Sequence, residues 1–313
     1  MIATVFSPKV LRAALPALSL GLLLLAVWYL NPRAISPLGF NLMFNLAVPI
    51  ALATVAQMCV MTVNDLDLSI GAYVGFVVCV AATWLHDTPL LGIAALAGGI
   101  ALYMLVGALI HIRDLPSIVV TLGMSFVWLG LSVLVLPTPG GQSPAWLATL
   151  MKLKTPVIPF PIIAAVVIAV VAHILLMRTS YGSILRGSGG NPKAIERAGW
   201  SLLKTKVVMF GAAGVFGMLA GLALIGLTTS AQANVAERYT LLSIAGVILG
   251  GGYFVGGRVS PVGAVIGAMT LTLSAPFLTF LKIPPDWQIG AQGGILIIVL
   301  ALRAVIDRLG PQQ

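Results

Sequence analysis

Apolar runs long enough to cross a bilayer recur from residue 13 to residue 307, separated only by short polar breaks. A helix needs about 20 apolar residues to cross the roughly 30 Å hydrocarbon layer, whereas a tilted strand needs only about 10. Runs of this length therefore predict helices, not a barrel. The rest of the chain offers no alternative. Only 8 % of its residues are charged, 59 % are hydrophobic, and the mean hydropathy is +1.09. A soluble domain carries about 25 % charge, and seventeen bases with eight acids cannot cover a water-facing shell. The sequence predicts an all-α, multi-pass membrane protein.

About ten transmembrane helices are expected, over 13–30, 43–63, 68–84, 90–110, 116–136, 157–177, 205–227, 240–256, 262–281 and 288–306. An even number puts both termini on one side, and lysine and arginine choose it. With the N-terminus cytoplasmic, the inside segments hold twelve basic residues and the outside segments five, Arg33, Lys152, Lys154, Arg238 and Lys282. Both termini are therefore expected in the cytoplasm. The net charge of +9 follows from that bias. It points to no nucleic-acid partner, since no basic cluster is interleaved with aromatics. Lys9 and Arg12 precede the first run as in a secretory signal, but Trp28, Tyr29 and Leu30 occupy the place of a small-residue cleavage site. The run is read as an uncleaved first span.

Several chemistries lack their residues. No Gly-Lys pair exists, so no phosphate loop is present. His86, His111 and His173 are far apart and show no metal-ligand spacing, and Cys59 and Cys79 read as small apolar side chains inside spans. No nucleophile–base pair and no row of intramembrane acids is evident, and no cofactor is called for. The chain reads as a conduit, not an enzyme, with its energy supplied from elsewhere.

One inside segment is large, 177–206, "MRTSYGSILRGSGGNPKAIERAGWSLLKTK". Gly189-Gly190 is expected to break the chain. Asn191 then reads as an N-cap, Pro192 as the first helical residue, and Gly199 as a C-terminal stop. The short helix between them begins with Lys193 and Ala194, and Glu196 and Arg197 project from it. Under two turns long, it cannot hold itself in water. A basic loop lying on anionic lipid is one reading, and a helix that docks into another protein is the other.

The stretch "GGNPKAIERAGW" resembles the Gly-Gly-Asn-x-x-Ala-x-Arg-x-x-Gly loop of the ribose-type permeases of bacterial ATP-binding-cassette (ABC) importers. "DLSIG", Asp67 to Gly71, is similar to their Asp-Leu-Ser-Val-Gly signature, and residues 243–268 resemble their glycine-rich run. Order and spacing agree from roughly 40 to 305. The resemblance implies one polytopic permease domain over 1–313, with a cytoplasmic coupling helix at about 190–200 that fits a groove on a separate ATPase subunit. It also implies a second permease copy or paralogue, an extracytoplasmic solute-binding protein, and the bacterial inner membrane as location. The chain departs from the family at Asn64 and Asp65, and at Thr240 to Leu242, where the family commonly reads Glu-Leu-Asp. Which solute it carries is left open.

"LSIGAYVGF" (68–76) and "LGGGYFVGG" (249–257) match in part, which hints at paired four-helix repeats over 43–136 and 205–306. Gly217/Gly221 and Gly263/Gly267 predict close helix packing within the subunit. Asp67, ahead of Ser69 and Gly71, is read first as a cap for the third span and second as a solute contact. Asp65 is expected to pair with Arg258 or Arg113. Asn45, Gln57, Asn64, Asp65, Thr121, Ser125, Gln288 and Gln292 are candidate pathway residues, each equally able to join helices by hydrogen bonds. The expected function is the membrane permease of an ABC importer for a small polar solute, a monosaccharide first. The alternative is a self-contained secondary carrier or facilitator, and more distantly a membrane scaffold.

Overall fold

In the computed structural model, residues 8–301 are described except 154, 156, 157, 229, 285, 289, 292, 295, 296 and 298–300, and 8–13 through their backbone alone. We number the helices α1 Pro8–Leu30, α2 Pro37–Met43, α3 Ala47–Thr62, α4 Ile70–Ala82, α5 Trp84–Asp87, α6 Pro89–Ile112, α7 Ser117–Val135 and α8 Ala145–Met151. There follow α9 Phe160–His173, continued by a π-helical turn to Arg178, then α10 Ser180–Gly190, α11 Pro192–Arg197, α12 Leu202–Leu227, α13 Tyr239–Leu249 and α14 Pro261–Phe280. Among the described residues there is no strand, only one isolated bridge between Gly140 and Ala231.

Among the described residues, six segments are long and apolar enough to cross a membrane: Ile70–Asp87, Pro89–Ile112, Ser117–Val135, Phe160–Arg178, Leu202–Leu227 and Pro261–Phe280. The pair α2 and α3, bent by 48°, makes a seventh if it is one span. The expected tenth span, 288–306, falls largely outside the described residues.

Burial explains the layout. All sixteen residues of α3 are buried, as suits a helix that is apolar all round. α4 is nearly as enclosed. α12 packs across α3, α4 and α6, while α14 packs against α1, α3 and α13. α6, α7 and α9 instead expose Leu105, Leu134 and Val166, among other large apolar side chains, as a lipid-facing belt requires. The paired glycines serve packing within the chain, as expected. A Cβ on Gly217 would press on Ile70 and Tyr73 of α4, one on Gly267 would strike the Gly246 carbonyl of α13, and one on Gly263 the carbonyl of Gly250 just past its end.

Two expectations are corrected. The span 240–256 is a helix of only eleven residues, Tyr239–Leu249, about 16 Å long. Glycines 250–252 end it, with Gly251 at φ +96°, a conformation that L side chains rarely adopt. The two stretches of the hinted repeat also differ, because 70–76 is helical and 250–257 is not.

Candidate functional site

The break between α3 and α4 lies deep in the bundle. Asp67 accepts a hydrogen bond from the Tyr103 hydroxyl at 2.8 Å, and Tyr103 stands nine residues before the end of α6, roughly 13 Å along its axis. Non-helical backbone at that depth must be satisfied by protein groups, and it is. The Leu66 N–H donates to Ser117 Oγ at 3.1 Å, and the Leu68 N–H to Thr121 Oγ1 at 3.0 Å. The Gln57 amide, in the orientation that serves both groups, donates to the Asp67 carbonyl at 2.9 Å and accepts the Asp67 N–H at 3.2 Å. Ser69 donates its N–H and its hydroxyl to Asp67 Oδ1, at 2.7 and 2.6 Å. Buried Tyr73, Tyr103 and Trp128 pack around this hub, with ring centroids 4.6–6.0 Å apart and only the Tyr103–Trp128 pair stacked.

These contacts give three of the expected residues their place. Asp67 is fully buried and accepts the Ser69 N–H at the start of the third span, together with the Ser69 and Tyr103 hydroxyls. The Gly71 N–H, in the first turn of α4, goes to Thr240 Oγ1 at 3.0 Å. Gln57 and Thr121, candidate pathway residues, are buried braces of the break.

At the end of the bundle below this break, the 177–206 segment meets two others. Gly189 and Gly190 do not break the chain; they are the last turn of α10. Their small size admits another backbone: a Cβ on Gly189 would strike the Thr62 carbonyl oxygen, and one on Gly257 the Arg186 carbonyl oxygen. Asn64, at φ 62°, donates its amide to the Gly189 carbonyl and accepts the Gly256 N–H at 2.8 Å. Asp65 pairs with Lys206, at 2.8 and 3.2 Å, and not with Arg258 or Arg113. Lys206 lies one turn into α12, which places it directly under Asp65. Together with His111 and Ser188, these residues line a cavity of about 200 Å³.

α11 hangs from this clamp. Asn191 ends α10 and caps α11, accepting the Ala194 N–H at 3.1 Å. Gly199 closes the turn at φ +84°. Ile195 is the helix's one half-buried residue, set against Gly187, while Lys193, Ala194, Glu196 and Arg197 all face outward. Tyr181 and Trp200, both exposed, form a tilted pair beside it.

A second polar feature opens on the flank. After α12 the chain runs back along α4, with the Ala233 and Ala236 carbonyls seated over Gly75 and Gly71. Between this segment, α7 and the start of α4 lies a groove of about 420 Å³ that includes Ser125, Asn234, Glu237 and Thr240. Of the other candidates, Asn45 is exposed at the bend between α2 and α3, and Gln288 donates to the Ile283 carbonyl at 3.0 Å. Gln292 lies outside the described residues. The sequence reading missed Lys206, Tyr103, Asn234 and Glu237. Glu237 carried a signal, being one of only eight acids.

Comparison with known proteins agrees with this architecture. The family model described as the permease component of the branched-chain amino acid transport system matches residues 33–300. The ribose import permease protein of Bacillus subtilis is 29 % identical over 294 residues, covering 92 % of this chain and 91 % of that protein. The xylose transport system permease protein of Haemophilus influenzae is 32 % identical over 143 residues, covering 46 % of this chain and 38 % of that protein. The autoinducer 2 import system permease protein of Yersinia enterocolitica is 27 % identical over 286 residues, covering 88 % and 78 %. No solved structure matches the chain. With its many apolar helices and a match over nearly its whole length, this multi-pass inner-membrane chain belongs to the family of permease components of the branched-chain amino acid transport system type.

Proposed function

We propose that this chain is the membrane subunit of an ATP-driven importer for a monosaccharide or a sugar-like solute. Although the family description names amino acids, the relatives alike over most of this chain are named for ribose, galactose and autoinducer 2. Residues 1–313 form one permease domain with about ten membrane passages, the one at 240–256 made by the short α13 and the non-helical stretch before it, and with both termini in the cytoplasm, the reading favoured by twelve basic residues against five. A separate ATPase supplies the energy, a second copy or paralogue completes the path, and an external binding protein delivers the solute.

The observation that carries this reading is α11. Six residues capped at both ends, exposed except at Ile195, make a helix that cannot support itself in water and presents its charged face for a partner to cover. Asn191 to Gly199 is the coupling helix, and Gly189 and Gly190 are its seat. Movement of α11 reaches the membrane through Asn64, which holds the α10 end and the glycine-rich loop after α13 together.

The test replaces Glu196 and Arg197 with alanine in the importer expressed with its own ATPase, and follows uptake of labelled ribose, xylose, galactose and leucine. Losing a charged contact at a docked interface costs about 2–5 kcal/mol. Sugar uptake and copurification with the ATPase should fall while the permease remains inserted. Unchanged uptake and copurification would overturn the coupling role, and leucine uptake without sugar uptake would overturn the solute class.

A further inference from the structure

The flank groove is chemically out of place for a lipid-facing surface. Its depth follows from its neighbours: Thr240 meets Gly71 at the level of the buried break, well above the Asn64 end. α13 returns from there toward that end in eleven residues, about half of a bilayer. The backbone before it, 231–238, is non-helical. Irregular backbone at membrane depth persists only where protein covers it or water fills a cavity beside it. Here it is exposed at Asn234 and Glu237, and among the described residues neither side chain has a hydrogen-bond or ion-pair partner. A carboxylate at such a depth is costly in hydrocarbon and marks a path or water-filled cavity instead.

The remaining lining suits one kind of ligand. Ser125 and Thr240 add hydroxyls, while Phe126 and Leu129 give an apolar wall. One acid, one amide and two hydroxyls beside an aromatic ring match a molecule with hydroxyls on its rim and C–H groups on its face. The lone negative charge opposes anions. A volume of about 420 Å³ lies within the usual range for small-molecule sites, about 300–1,000 Å³.

We propose that the groove between α7 and residues 233–241 is one wall of the solute path, and that Glu237, Asn234 and Ser125 are its contacts for a neutral, polyhydroxylated solute. This deepens the importer reading and rests on it. Phe126 and Leu241, 68 % and 72 % exposed, stand on the rim, where a second permease copy closes the opposite wall.

The experiment uses the assembled importer. Ser125→Cys, Asn234→Cys and Leu134→Cys are made in turn, each labelled with a hydrophilic, membrane-impermeant thiosulfonate with and without ribose. Leu134, 79 % exposed on the apolar side of α7, is the lipid-facing control, and the native Cys59 and Cys79 are buried. Cysteines at 125 and 234 should react roughly tenfold faster than at 134, and ribose should slow them. In parallel, Glu237→Ala should cut ribose uptake roughly tenfold, the scale of losing a hydrogen bond to a charged group, while Glu237→Gln keeps most of it. Labelling at 125 and 234 no faster than at 134 overturns the groove as a water-filled path. Wild-type ribose uptake in Glu237→Ala overturns the solute contact. If the wild-type importer carries no sugar yet 125 and 234 label fast, the groove stands as a path and the sugar assignment falls.

Discussion

Asn64 and Gly189, separated by 125 positions in the sequence, are joined by a hydrogen bond from the Asn64 side-chain amide to the Gly189 carbonyl. The same side chain accepts the Gly256 N–H, so one residue in a left-handed turn fastens three segments. Asparagine suits both tasks, since it tolerates positive φ and carries a donor and an acceptor. Asn64→Gly should lose the clamp but keep the turn, costing about 1 kcal/mol. Asn64→Ala adds backbone strain and should cost about 2–3 kcal/mol. Thermal unfolding in detergent measures the order, and an alanine variant as stable as the glycine variant would refute the conformational part.

Neighbouring glycines should respond differently. Gly189→Ala drives a methyl into the Thr62 carbonyl and the Gly257 backbone, neither of which can step aside. A loss of about 1–3 kcal/mol is expected, as for other overpacked sites. Gly190→Ala meets only the Gly256 carbonyl oxygen at 3.4 Å and should be nearly neutral. Equal effects at the two positions, by unfolding or by uptake, would contradict the close backbone packing.

The Asp67 hub yields an ordered series. Tyr103→Phe leaves Asp67 Oδ2 without its donor and should cost about 1.5–3 kcal/mol. Asp67→Asn retains the acceptor for Ser69 and can donate to Tyr103, so it should be milder than Asp67→Ala, which strips every contact. Denaturation midpoints test the ranking, and an alanine variant no worse than the asparagine one would remove Asp67 from this structural role.

Asp65 and Lys206 form a largely buried pair, with 8 % and 23 % of their side chains exposed. Removing one partner strands the other charge, so either single alanine variant should be destabilised by more than its share of the double variant. A double-mutant cycle should give a coupling of about 0.5–3 kcal/mol. Additive single effects would show that the contact contributes nothing.

Orientation has its own measurement. With Cys59 and Cys79 replaced, a cysteine at Lys152 should react with an impermeant thiol reagent outside the cell, and one at Lys193 only after the membrane is opened. The reverse pattern would invert the topology drawn from the basic residues.

The sequence by itself determined what depends on run length and on near neighbours. Apolar runs dictated a helical membrane bundle, because a bilayer leaves backbone groups no other partner. Asn191, Pro192 and Gly199 announced a short helix with both ends set, because cap chemistry reaches only three or four residues. Contacts between distant residues were settled only by packing. Gly189 and Gly190 looked like a break in one dimension, but they are helical and small because the 256–257 backbone crosses them. Gln57 and Thr121 could line a path or hold elements together, and only the fold set the backbone of the 64–69 break against them, where leaving that backbone unpaired would be costly. Asp65 found Lys206, 141 residues away, because α12 passes beneath the break and nearer bases do not.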